Sequence, residues 1–387
     1  MKTERLGQVT KNLDNKRIPL NSEERLAKSK KGLYPYIGAN NIVAYIDEYI
    51  FDETILCVAE DGGSWGANQK CAEIYEGKTW VNNHAHVLVE NGKADLKYIK
   101  NYLNYANLNK FIKGSTRGKL NKSVLENIPI PLPSLPAQRL IAQLLSQAEQ
   151  LIAQRQESLR LLDAYLKSTF LEMFGDPVRN EMHWNRVELK LHAKVRIGPF
   201  GSLLHREDYV RDGIPMVNPS HIQAGKIVID PGLTISKAKM NELSAYVMRA
   251  GDVVLGRRGE IGRCAVVTDK ENGYLCGTGS IFIRPTEELN PIFLYNVISS
   301  ASMRRVLESS AKGITMKNLN SGIIENLKIP VPPISIQTQF AQIEAQTELL
   351  KTLYQQSLAE LEQMYGSLSQ RAFRGELGGA MLEKDEK

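Results

Sequence analysis

The sequence is poor in the residues that staples and most catalytic chemistry require. Four cysteines, Cys57, Cys71, Cys264 and Cys276, occur in 387 residues, and none stands in a Cys-x-x-Cys pair. This excludes a disulfide scaffold and, with no export signal, predicts reduced thiols in the cytoplasm. No apolar run approaches the ~20 residues that cross a bilayer, so no membrane partner is expected. The opening Met1-Lys2-Thr3-Glu4-Arg5-Leu6 lacks the apolar core of a signal peptide. There is no Gly-x-Ser-x-Gly, no convincing triad and no glycine-rich cofactor loop after a strand, so neither catalysis nor a cofactor is expected. Charge of one sign is also scarce: 49 Lys and Arg oppose 43 Asp and Glu, a net of +6.

What is present is a repeat. Shifted by 199 residues, Lys113-Gly114-x-Thr116 meets Lys312-Gly313-x-Thr315, Leu120-Asn121 meets Leu319-Asn320, and Ile130-Pro131-x-Pro133 meets Ile329-Pro330-x-Pro332. The match runs ungapped to Phe174 and Phe373, with 22 identities in 62 positions. Repeats fix an architecture before anything else does. In each copy the prolines end an irregular region, because proline cannot continue a ladder or a helix interior. Beyond them, apolar residues recur at three- and four-residue steps: Ile141, Leu144, Leu145, Ala148, Leu151 and onward to Phe170, then Phe340, Ile343, Thr347, Leu350 and onward to Leu368. Each stretch predicts a helix of about 36 residues, roughly 54 Å long.

A helix that long cannot bury its stripe alone. Antiparallel pairing of the two copies is expected, placing the preceding domains at opposite ends about a pseudo-twofold axis. Those preceding segments carry short β-type runs, such as 54–58, 86–89, 252–255 and 280–283, with helical stretches at 96–110 and 291–308. The expected fold is thus two tandem mixed α/β domains separated by two long antiparallel-paired helices. The boundaries are 1–134 for the first domain, 135–178 for the first helical region, 179–333 for the second domain, 334–377 for the second helical region and 378–387 for a flexible tail. Between the two domains, Asp52 and Asp252, and Leu56 and Leu255, are the matching landmarks.

The charge follows this partition. The four main segments carry +4, −1, +6 and −3, the last counted to residue 387. The α/β domains therefore hold +10 and the helices −4, which points to a polyanion as the partner of the domains. Lys113, Ser115, Thr116, Arg117 and Lys119, and in the second copy Lys312, Thr315, Lys317 and Asn318, surround small residues of the kind that let backbone amides approach a phosphate. As a nucleotide P-loop the first copy is one residue short and lacks the Ser/Thr that would hold magnesium. A plain helix-start turn is the alternative to a DNA-backbone loop. Arg257, Arg258 and Arg263 follow a predicted strand; loop arginines read guanine edges or clamp phosphates. The equivalent place in the first domain is acidic, Glu60-Asp61. Asn68, Gln69, Asn82, Asn83, His84 and His86 are polar residues able to reach bases or to serve as loop chemistry.

Two constellations are thin. His84-x-His86 at strand spacing lacks the further ligands a zinc site needs. Asp61, Glu76 and Lys78 resemble a nuclease carboxylate–carboxylate–lysine set at a spacing that chance often supplies.

The order of these landmarks resembles the specificity (S) subunits of type I restriction–modification systems over essentially the whole length. They include Ile128-Pro129-Ile130-Pro131-Leu132-Pro133 with Gln138, Met173-Phe174-Gly175-Asp176-Pro177, Trp184, Gly251-Asp252-Val253-Val254-Leu255 and Arg371-Ala372-Phe373-Arg374-Gly375-Glu376-Leu377. The resemblance implies that each α/β domain reads one half of a bipartite, gapped site in double-stranded DNA. It implies that the helices set the gap and dock two modification (methyltransferase) subunits, which recruit restriction (motor-nuclease) subunits. Catalysis would then belong to those partners. A stand-alone DNA-binding protein of the same architecture and a metal-dependent nuclease are the other readings.

Overall fold

The computed structural model describes residues 2–114, 118–200, 203–311 and 318–377. The chain forms two compact units, residues 1–157 with 355–387, and residues 158–354. No helix among the described residues is long and apolar enough to cross a membrane.

In the first unit, strands β1 (Thr3–Arg5), β2 (Thr10–Asn12), β3 (Tyr34–Ile37), β4 (Ile42–Ile46), β5 (Phe51–Asp52), β6 (Ile55–Ala59), β7 (Ala72–Tyr75), β8 (Lys78–Val81) and β9 (Ala85–Glu90) precede helix α1 (Leu96–Tyr105), strand β10 (Pro129–Pro131) and the start of helix α2 (Leu135–Phe174). β6 reads Ile-Leu-Cys-Val-Ala without polar alternation, and all five residues are buried, as a centre strand covered on both faces requires. It lies in an antiparallel sheet of order β2-β9-β6-β7. A second sheet, β4-β3-β8-β5, contains one parallel pair, with Tyr36 opposite Trp80. α1 starts at Asp95, whose carboxylate accepts from the Tyr98 amide, and buries Leu96, Ile99 and Leu103.

The second unit repeats this plan. Its strands are β11 (Arg186–Glu188), β12 (Ala193–Ile197), β13 (Tyr209–Val210), β14 (Ile214–Val217), β15 (Ile222–Gln223), β16 (Lys226–Ile227), β17 (Thr234–Ile235), β18 (Val253–Gly256), β19 (Cys264–Val266), β20 (Leu275–Cys276) and β21 (Ser280–Pro285). Helices α3 (Pro291–Ser299) and α4 (Ala301–Ser310), strand β22 (Lys328–Pro330) and helix α5 (Ile334–Phe373) follow. The sheets run β12-β21-β18-β19 and β13-β17-β14-β20, the second again with one parallel pair, Met216 opposite Leu275. β1 closes on β10, and β11 closes on β22.

α2 and α5 are 40 residues each and begin and end 199 positions apart. Pro136 is tolerated because it sits in the first turn, where its missing N–H has no partner to lose. The helices pack antiparallel. In the first unit the Tyr365 hydroxyl donates to Glu149 at 2.9 Å. In the second, Lys351 meets Asp163 at 2.8 Å, and Phe340 packs edge-on against Phe170 and Phe174. The repeat partners Phe174 and Phe373 both finish in a core. Phe174 packs edge-on against Phe293 of α3, and Phe373 packs tilted or edge-on against Tyr98, Tyr102 and Tyr105 of α1. Gln138 and Gln337 tie each helix start to its domain, accepting from the amides of Asp95 (3.0 Å) and Asn290 (2.8 Å).

Three details differ from the sequence expectations. The helix expected over 291–308 is two, because Ser300 is extended and its hydroxyl caps α4 through the Met303 amide. The stretch expected over 96–110 leaves the α-helix after Tyr105, Ala106 being extended. The landmark pairs Leu56/Leu255 and Asp52/Asp252 are not structural equivalents. β6 ends on the cross-strand pair Ala59–Ala85 and β18 on Gly256–Ser280, so Val58 corresponds to Leu255 at a shift of 197. Loops of unequal length precede the strands, so the Leu56/Leu255 match slips by two and the Asp52/Asp252 match by three. Asp252 instead serves its own unit, pairing with Arg284 at 2.6 Å.

Candidate nucleic-acid interface

The first sheet of each unit ends on the same backbone frame. In the first unit the chain leaves β6 through Glu60 and Asp61. The Glu60 amide donates to the His84 carbonyl (2.9 Å), the Leu120 amide donates to the Glu60 carbonyl (2.8 Å), and Asp61 bridges to Lys119. In the second unit the chain leaves β18 through Arg257 and Arg258. The Arg257 amide donates to the Gly279 carbonyl (3.0 Å), the Leu319 amide donates to the Arg257 carbonyl (3.0 Å), and Arg258 bridges to Asn318. Lys119 and Asn318 are repeat partners, as are Leu120 and Leu319. The frame therefore equates Glu60 with Arg257, Asp61 with Arg258, and His84 with Gly279.

In the first unit this frame covers a buried charge network. His86, in the middle of β9, donates from Nδ1 to Asp14 at 2.6 Å, and its Nε2 lies 2.7 Å from the Leu120 carbonyl. Both ring nitrogens thus face acceptors. Asp14 also accepts from the Val87 amide at 2.8 Å. Arg17 donates to Glu60 and to the Ala85 carbonyl, both at 2.7 Å, and Lys119 reaches Glu60 at 3.0 Å. Burial pushes the Asp14 and Glu60 carboxyls up. For Asp14 the His86 and Val87 bonds outweigh it, for Glu60 the Arg17 and Lys119 bonds, and both stay below their ordinary values. Above this network His84 is held three ways. Its amide donates to Asn82, its carbonyl accepts from Glu60, and its Nδ1 lies 2.9 Å from an Asp61 oxygen.

In the second unit the same place is cationic. Arg257 is 6% exposed and donates from Nε to the Asn318 side-chain oxygen at 2.9 Å. Burial and then the neighbouring Arg258 hold its guanidinium below the ordinary value. Arg258 is exposed and has no ion-pair partner among the described residues. Arg263 pairs with Glu260.

Of the residues singled out by sequence, Lys113 and Lys119 close the base of their loop, each amide donating to the other's carbonyl at 3.0 and 2.8 Å. Lys113 is exposed, and Lys119 is engaged with Glu60. Arg257, Arg258 and Asn318 are brought together. Ser115, Thr116, Arg117, Lys312, Thr315 and Lys317 lie outside the described residues. Arg17 and Asp14 were missed; they come from an unrepeated segment and carry no local signal.

The thin constellations do not assemble. His84 and His86 have separate carboxylate partners, Asp61 and Asp14. Ligand atoms of Asp14, Glu60 and His86 lie within 4.8 Å of one another. The carboxylates are already met by Arg17, Lys119 and the Val87 amide, cations and a donor that stand where a metal would have to compete. Glu76 follows Tyr75, which pairs with Ile55, whereas Asp61 lies beyond Ala59 at the other end of β6. Four strand steps separate the two ends by roughly 13 Å. Lys78 lies against Tyr49, 4.6 Å from the ring centre.

The long helices keep apolar side chains outside. In the second unit Leu161, Tyr165 and Leu171 of α2, and Leu349 and Leu353 of α5, are each about half exposed or more.

Comparison with known proteins agrees with this geometry. The family model described as "Type I restriction modification DNA specificity domain" matches residues 1–161 and 201–363. A protein described as a putative type I restriction enzyme specificity subunit of Haemophilus influenzae is 28% identical over 353 residues, 89% of this chain and 87% of that protein. The MjaVIII specificity subunit of Methanocaldococcus jannaschii is 23% identical, over 87% of this chain and 84% of its own. Among solved structures, the S subunit from M. genitalium superposes with a TM-score of 0.62 at 14% identity, covering 96% of both chains. Two matched domains, two unlike faces on one backbone frame and a pair of equal helices place the chain in the family of type I restriction–modification DNA specificity proteins.

Proposed function

We propose that the chain is the DNA-recognition subunit of a type I restriction–modification complex. Each α/β domain reads one half of a bipartite gapped site in double-stranded DNA, and α2 with α5 fixes the gap. The observation that carries this reading is the shared strand-end frame dressed with opposite charge. Identical scaffolds with different surfaces suit two different short sequences. The segments 1–134 and 179–333 are the two readers, 135–178 and 334–377 the spacers. Lys113 and Lys119, with Ser115, Thr116 and Arg117, approach the backbone of one half-site. Lys312, Thr315, Lys317 and Asn318 do so at the other, with Arg257, Arg258 and Arg263 beside them.

Two modification subunits dock on the exposed apolar faces of the helices and bring restriction subunits with them. Methylation and cleavage are their chemistry; this chain supplies sequence choice, with no cofactor of its own, in the cytoplasm. Base-resolution methylation mapping in cells carrying the chain with its modification subunits tests the proposal. A single bipartite motif with a fixed gap is expected. A continuous motif, or methylation independent of this chain, overturns it. The stand-alone reading is separated by co-purification, since a methyltransferase retained on the tagged chain excludes it.

A further inference from the structure

The frame at the strand ends leaves three side-chain positions free to differ, and they differ completely. Where the first unit has His84 and Asp61, the second has Gly279 and Arg258. We infer that His84 and Arg258 are the specificity-determining readers of their respective half-sites, resting on the function proposed above. His84 accepts from the exocyclic amine of an adenine or cytosine, and Arg258 donates to a guanine.

The geometry of His84 is that of a group built to present one atom. Its backbone is pinned at both ends, by Asn82 (2.7 Å) and by the Glu60 amide (2.9 Å). An Asp61 oxygen 2.9 Å from Nδ1 orients the ring, and when Nδ1–H donates to it, Nε2 is the acceptor on offer. No partner for Nε2 occurs among the described residues, and the side chain is 40% exposed. Its neighbour in the sequence of β9, His86, is buried with both nitrogens bonded, so only one of the two histidines is free to read. Asp61 is a positioning residue: it acts through the ring it orients.

The second unit cannot use the same device. A Cβ at Gly279 would come within 2.9 Å of the Pro219 side chain, so nothing larger than glycine fits where His84 stands. The reader passes to the next position of the frame. Arg257 is buried and spent on Asn318, whereas Arg258 is exposed and has no ion-pair partner among the described residues. A free guanidinium on a rigid strand end has the two-donor geometry that matches guanine O6 and N7. Asp61, which orients His84, pairs along the backbone with Lys119, and Arg258 pairs with Asn318, so each reader stands next to a residue assigned above to a DNA backbone.

The experiment uses the full chain expressed with its modification subunits and reads adenine methylation at base resolution. His84→Ala is expected to make one A or C position degenerate in one half-site, with discrimination there falling about tenfold or more. Asp61→Asn should blur the same position and no other, and His84→Gln should keep a preference for adenine there. Arg258→Ala should relax a single G in the other half-site. An unchanged motif methylated uniformly less overturns the assignment, as does relaxation at a G by His84→Ala. If His84→Ala gives no methylation, its melting curve and its binding to random-sequence duplex decide. Wild-type values without cognate preference support the assignment, and equal loss on all sequences overturns it. Absence of any bipartite motif with the unaltered chain would instead sink the underlying function, a distinct result.

Discussion

Glu60 and Arg257 stand at the same point of the same fold with opposite charges, and each is bonded to its repeat-related neighbour. Lys119 donates to Glu60 at 3.0 Å, and Arg257 donates to Asn318 at 2.9 Å. The bond that pins the loop base has reversed its direction between the two domains. The partners are not freely interchangeable: a Lys opposite Arg257 would set two cations together, whereas the Asn318 amide could turn its NH2 to a Glu.

The two tethers differ in burial, and this separates their mutants. Arg257→Leu should destabilise the protein by about 1.5–3 kcal/mol, the range for a hydrogen bond from a charged donor. Lys119→Met, with its side chain half exposed, should cost no more than about 1 kcal/mol. Thermal melts check both. Lys119→Met is also expected to weaken DNA binding evenly across sequences and to flatten the salt dependence by about one unit of slope.

Removing His86 leaves Asp14 as a buried carboxylate with a weaker set of partners. His86→Leu should cost roughly 1–3 kcal/mol, as leaving a buried acceptor without its donor does. The acid limb of stability should change as well. Asp14 and Glu60 are held below their ordinary values of 3.8 and 4.5, so the unfolded chain binds their protons first. Their contribution is complete above those values and lost as pH falls through the lower folded ones. Denaturant melts between about pH 5 and pH 3 should show this loss in the wild type, and a shallower one in Asp14→Asn.

Phe174 and Phe373 each close a core with the last turn of a long helix. Phe174→Ala should cost about 3–5 kcal/mol, the usual range for a buried phenylalanine. Phe373→Ala should lie at the lower end, since 9% of it stays exposed. Chemical denaturation with both variants gives the comparison.

If the helices set the gap, four residues added to the middle of both should lengthen each by about 6 Å. The preferred gap in a spacer library should grow by about one to two base pairs, since stacked base pairs rise ~3.4 Å. An unchanged gap preference separates the helices from the spacing. Exchanging residues 179–333 for a relative's domain should alter one half of the motif only.

The repeat was legible to the residue: α2 and α5 begin and end at the shift of 199 that the sequence shows. Apolar runs marked the strands β6, β9, β18 and β21 within a residue or two. The correspondence of Glu60 with Arg257 was readable as acid against base at a strand end, but its register was not. Strand pairing fixes it at a shift of 197, and loops of unequal length hide that shift. Arg17, Asp14 and His86 could not be joined by reading, because 69 to 72 residues of chain separate His86 from the other two and the network has no copy in the second domain. The Ser300 break is local chemistry that apolar periodicity overrides on paper and capping wins in the fold.

The first unit is assembled from both ends of the chain, 1–157 and 355–387, and Phe373 belongs to its core. Synthesis at about 5–20 residues per second leaves roughly 10–40 s between the emergence of residue 157 and that of residue 355. During that interval the whole of the second unit, contiguous from 158 to 354, is synthesised. The domain translated first therefore waits longest for its last core residues, Ala372 and Phe373 among them.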